Sequence, residues 1–168
     1  MTRKTAPPRV LVVEDDPHVR TLNRMILEEA GYAIDEAADG ETALTALKAR
    51  PYAAVVLDIM MPGMNGYEVL EHLQQMPKRR GTPVVVVTAR HDPEGVMREL
   101  TGGAVDHLAK PFSHDALLSA VSRAVEGGDV EERRGALWRS AQAYDAAVVL
   151  RSAVADRDTI APARPRRR

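Results

Sequence analysis

The chain has 168 residues, a net charge of −1 and 45% apolar residues. That is enough for one globular domain with an appendage, and it argues against bulk electrostatic attraction to nucleic acid or to an anionic membrane. There are no cysteines, which excludes a disulfide framework, thiolate zinc sites and cysteine catalysis and suits a reducing cytoplasm.

Residues 1–8, within "MTRKTAPPRV", are basic and proline-bearing and are expected to be flexible. No apolar segment follows them, so no secretory signal is expected. No apolar run approaches the roughly 20 residues of a membrane helix, so a cytoplasmic protein without a membrane partner is expected. "RVLVV" at 9–13 reads as a strand, ended by Glu14, Asp15 and Asp16. "PHVRTLNRMILEEAG" reads as a helix: Pro17 suits the first turn, Gly31 stops it, and Val19, Leu22, Ile26 and Ala30 predict its inward stripe. "YAIDEA" is a short alternating strand, and "DGETALTALKAR" is a helix capped by Asp39 with Pro51 beyond its end.

"YAAVVLD" is a continuous apolar strand, of the kind buried on both faces, and it ends on Asp58. After "MPGMNG", the segment "GYEVLEHLQQM" is helical; "PVVVVTA" is a second buried strand ending in Thr88 and Ala89. "DPEGVMRELTGG" is a weaker fourth helix, and "VDHLAKPF" holds a short strand followed by Lys110 and Pro111. "SHDALLSAVSRAVEGG" is a fifth helix, with Ser113 as its cap and Gly127–Gly128 as its end.

Strands alternating with helices predict an α/β fold: a five-stranded parallel sheet, doubly wound, with helices on both faces. In such folds the ligand site lies beyond the carboxyl ends of the strands. Glu14, Asp15, Asp16, Asp58, Thr88 and Lys110 all fall at those ends. Clustered carboxylates raise one another's pKa values, and a divalent cation removes that cost. Hard oxygen ligands favour Mg²⁺. With Lys110 as a second cation and Thr88 as a hydrogen-bond donor, the set suits phosphoryl transfer, with Asp58 as a carboxylate nucleophile.

"VLVVEDD", "VVLDIMMPGMNG", "VVVVTA" and "LAKPF", in this order and at these intervals, resemble the receiver domain of bacterial two-component response regulators. The resemblance spans roughly residues 8 to 126, and four motifs in register are specific where one alone is weak. It implies a flavodoxin-like fold over residues 9–126, with Asp58 as phosphoacceptor. It also implies Mg²⁺ bound by Asp15, Asp58 and the Met60 carbonyl, with Glu14 acting through water. Thr88, Ala89 and Lys110 would contact the phosphoryl oxygens, and the Lys110–Pro111 bond would be cis. The implied partners are a sensor histidine kinase or phosphotransfer protein and a downstream protein. A homodimer through the face of the fourth helix, fifth strand and fifth helix, or through the C-terminal helix, is a further implied assembly. At His107 the family usually has Tyr or Phe, a ring that swings inward together with the threonine, here Thr88. A smaller, titratable ring stands there instead. An exposed strand histidine is the plainer reading of the same residue.

Residues 127–158 read as a helical extension, running from about Val130 to Asp156. Leu137, Ala141, Tyr144 and Val148 form an apolar stripe with Trp138 and Val149 near it, and such a stripe must pack on something. Residues 159–168, ending "ARPRRR", read as a basic disordered tail. A transcription factor contacting DNA through this extension is the alternative, disfavoured because one helix and one arginine cluster cannot form a helix-turn-helix. An aspartyl-phosphate phosphatase fits poorly, since Met60 stands where such enzymes carry a second Asp. The expectation is therefore a phosphoacceptor switch rather than an enzyme.

Overall fold

A computed structural model describes residues 6–89, Gly95 and residues 103–127. The elements in chain order are β1 (Arg9–Val13), α1 (Pro17–Glu29), β2 (Ala33–Ala37), α2 (Gly40–Ala49), β3 (Ala54–Asp58), α3 (Gly66–Gln74), β4 (Val84–Thr88), β5 (Ala104–Ala109) and α4 (His114–Glu126). The fourth predicted helix lies outside the described residues apart from Gly95, so the fifth predicted helix is α4 here. The predicted C-terminal extension and basic tail, and residues 1–5, also lie outside them.

The strands form one parallel sheet in the order β2-β1-β3-β4-β5. Alternation along each strand sorts its side chains to two faces. Leu11, Val13, Val55, Leu57, Val84 and Val86 pack with α2 and α3 on one face. Val10, Val12, Val56, Val85 and Val87 pack with α1 and α4 on the other. β3 and β4 are covered on both sides, which is why they read as unbroken apolar runs.

Local chemistry sets the helix starts. Asp16 accepts from the amides of His18 and Val19, Asp39 from Thr42, and Ser113 from Ala116. Asn65 and Glu68 form a reciprocal capping box at α3. Gly31 ends α1 with φ +92°, a left-handed conformation glycine adopts without a Cβ clash.

One predicted face is corrected. The buried residues of α1 are Asn23, Ile26 and Leu27, whereas Leu22 is 48% exposed and Ala30 is exposed. That rotation buries Ile26 and Leu27 in the core and leaves Arg20 and Arg24 on the flank that reaches Glu36 on β2. Among the described residues no helix is long and apolar enough to cross a membrane.

Candidate functional site

The chain reverses its direction of winding between β1 and β3, and their carboxyl ends open a crevice there. The register pairs Val13 with Leu57, so the next residues, Glu14 and Asp58, come out abreast. The Glu14 amide donates to the Ala37 carbonyl (3.1 Å), carrying β1 geometry one residue past its end. On the far side β4 pairs with β5, and the Lys110 amide donates to the Thr88 carbonyl (2.9 Å), which delivers Lys110 to the same rim. The Lys110–Pro111 peptide is cis.

Lys110 Nζ donates to Glu14 Oε2 (2.8 Å) and to Asp58 Oδ2 (2.9 Å). Both carboxylates are buried, with side chains 3% and 4% exposed. Asp15 is more open to solvent, and Glu14, Asp15 and Asp58 each present an oxygen within 4.8 Å of the others. Three carboxylates thus face one ammonium. Burial pushes the Glu14 carboxyl above its ordinary value; the hydrogen bond from Lys110 opposes this, and the Asp58 charge adds to it. Burial alone would lower the Lys110 pKa, but the bonds to Glu14 and Asp58 prevail and raise it. An anionic excess of this kind, held on hard oxygens, fits a divalent cation such as Mg²⁺.

The surrounding backbone is arranged for the same point. The Met60 amide donates to Asp58 Oδ1 (3.0 Å), fixing the carboxylate's orientation, while the Met60 side chain is 54% exposed. The Gly66 amide donates to the Ile59 carbonyl (3.1 Å). A Cβ at Gly66 would lie 2.5 Å from the Asp58 carbonyl oxygen and 2.7 Å from Ile59 Cα, so α3 can start this close to the site only with glycine there. Thr88 is buried at the end of β4, and Ala89 beside it is exposed.

Two residues have roles that the sequence did not show. Arg20 Nη1 donates to the carbonyls of Glu14 (2.7 Å) and Asp15 (3.3 Å), clamping the acidic loop from the first turns of α1. No local pattern distinguishes it from a surface arginine. Asp16 is the helix cap rather than a fourth member of the carboxylate cluster. The Val19 and His18 amides hold its carboxyl below the usual carboxylate range. His107 pairs with Val86 in the sheet and is half-buried rather than exposed; its amide donates to Asp106 Oδ1 (2.9 Å).

The family model for the response regulator receiver domain matches residues 10–122. The chain is 39% identical over 145 residues to the transcriptional regulatory protein TcrA of Mycobacterium tuberculosis, covering 79% of this chain and 56% of that one. It is 37% identical over 127 residues to the phosphate regulon transcriptional regulatory protein PhoB of Escherichia coli, covering 74% and 56%. It therefore spans about half the length of the curated relatives it matches. Among solved structures, the chemotaxis response regulator CheY4 of Vibrio cholerae superposes with a TM-score of 0.68 at 30% identity, covering 71% of this chain and 99% of that one. The receiver domain of the sensor histidine kinase PA1611 of Pseudomonas aeruginosa, with a magnesium ion in its active-site cleft, gives 0.68 at 28% identity, covering 73% and 100%. Receiver proteins are among the folds that follow the strand-tip rule, and by sequence match and fold together the chain belongs to the response regulator receiver domain family of two-component systems.

Proposed function

We propose that Asp58 accepts a phosphoryl group from the phosphohistidine of a sensor histidine kinase or phosphotransfer protein. The observation that carries this is one lysine shared by two buried carboxylates, with a third carboxylate beside them. An Asp58 oxygen attacks phosphorus, the P–N bond breaks, and its electron pair leaves with the imidazole, which takes up a proton. Asp15, Asp58 and the Met60 carbonyl would hold Mg²⁺, with Glu14 acting through water, and the ion would supply charge neutralisation for the transferring oxygens when bound. Lys110 stabilises the same charge, and the Met60 amide orients Asp58. Thr88 and Ala89 close the rim from β4, and Thr88 and His107 couple the site to the β4–β5 side of the domain. The magnesium in the PA1611 receiver supports the metal assignment.

The product is a switch rather than a turnover catalyst: phosphorylation shifts a two-state equilibrium and changes which protein partner binds. The phosphoacceptor unit occupies residues 9–126 of a cytoplasmic protein, with residues 127–158 as an extension and 159–168 as a basic tail.

Intact-mass spectrometry after mixing with Mg²⁺ and acetyl phosphate tests the site. Wild type is expected to gain one phosphoryl group and Asp58→Ala none; equal gain by both would sink the assignment.

A further inference from the structure

The face of the sheet carrying α1 and α4 has three seams, and two are closed by ions. Arg20 and Arg24 bridge to Glu36 on the β2 side. Arg123 bridges to Asp106 on the β5 side. On the helical wheel Leu22 and Met25 fall on the flank of α1 away from Arg20 and Arg24, and Leu118 and Val125 on the flank of α4 away from Arg123. The two helices pack side by side on one core, so the flank carrying Leu22 faces the flank carrying Leu118 and Val125 across the groove between them, with Met25 beside Leu22 on its solvent edge. Leu22 is 48% and Met25 58% exposed, while Leu118 and Val125 are half-buried. The middle seam is the apolar one.

We infer that this groove is the docking site of the chain's own segment around Leu137–Val148. α4 and α1 both run against the strand direction, so α4 ends at Gly127 beside the end of α1, at the lower mouth of the groove. Nine residues lie between Gly127 and Leu137, a reach of up to about 35 Å. α1 has 13 residues and is about 20 Å long, so the whole groove is within reach. Leu137, Ala141, Tyr144 and Val148 repeat at helical spacing and offer one apolar stripe of matching length. A tethered segment faces its site at a millimolar effective concentration, so even a modest apolar contact is filled from within the chain. This inference does not depend on the phosphoacceptor reading.

The absence of cysteine makes the test clean. Leu22→Cys with Tyr144→Cys in the full chain is expected to form a disulfide within one chain under mild oxidation. The rate should exceed by about tenfold that of Lys48→Cys with Tyr144→Cys, Lys48 being exposed on α2 across the sheet. Bonds forming only between chains would overturn the inference in favour of a second copy. Trp138 is the one tryptophan and lies beside the stripe. Its emission should shift to the red in Leu22→Glu/Met25→Glu and stay unmoved in Lys48→Glu; both substituted leucine and methionine positions are exposed, so the fold tolerates them. An unmoved emission in the double variant would equally overturn it.

Discussion

Two of the clusters in which acids and bases meet among the described residues do different things. At the strand tips, Glu14 and Asp58 share Lys110, with Asp15 close by. Toward the other end, Asp35 accepts from Arg9 (2.6 Å) and from the Tyr52 hydroxyl (2.8 Å), with Arg50 at 3.7 Å. The second cluster has one carboxylate, two guanidiniums and a phenol, and its ions are partly in water. Its charges are met locally, and it ties β1, β2 and the approach to β3. The first has more anions than cations and keeps two of them out of water. Burial denies those two carboxylates the screening of solvent, and a bound cation would relieve the surplus. Pairing makes architecture; a buried surplus of one sign makes a site.

Lys110→Ala is the hardest blow to the first cluster. It removes the ammonium that stabilises the transferring oxygens, and phosphoryl uptake should fall by about 100-fold, the scale of losing one positioned donor. Because Lys110 competes with a metal for the same oxygens, Mg²⁺ affinity measured by calorimetry should rise in the same variant. Unchanged uptake would mean that Lys110 only balances charge. Gly66→Ala should cost about 1–3 kcal/mol in urea denaturation, the range for overpacking, because the new Cβ meets backbone rather than a flexible side chain.

At the second cluster the effects are smaller and purely structural. Tyr52→Phe should lose about 1 kcal/mol, one buried hydrogen bond, and leave Mg²⁺ binding alone. Tyr52 ionisation is pushed up to about 12 from 10.0, by burial and then by the bond to Asp35. An acid whose folded pKa is raised contributes stability below its unfolded value, lost as pH rises through the folded one. Wild type should therefore lose stability between about pH 10 and 12, in a step that Tyr52→Phe lacks; an identical alkaline profile for the two would contradict the assignment. The smallest effect belongs to the caps. The Asp39 carboxyl is held below its ordinary value, chiefly by the Thr42 amide. Its contribution is present above the ordinary carboxylate range and lost as pH falls through the folded value. Asp39→Ala should be slightly less stable than wild type at neutral pH, with the difference vanishing in acid.

Much of this was legible in the chain itself, because its signals are local. A strand buried on both faces reads as an unbroken run, and "YAAVVLD" and "PVVVVTA" do. A cap needs a short polar side chain at one position, and Asp39 and Ser113 supply it. Four motifs at fixed intervals named Asp58, Asp15, Thr88 and Lys110 as the residues to watch. What the sequence could not decide depends on how elements rotate and register against each other. Spacing alone put Leu22 on the inward face of α1, since Leu22 and Asn23 differ by one helical step. The fit of Ile26 and Leu27 into a core built by other elements chose between them. The sharing of Lys110 by Glu14 and Asp58 spans 96 and 52 residues of chain and exists only because β1, β3 and β5 end at one rim. Side-chain period is a property of the segment; rotation, register and a charge surplus held away from water are properties of the assembled fold, and the candidate chemistry rests on the latter.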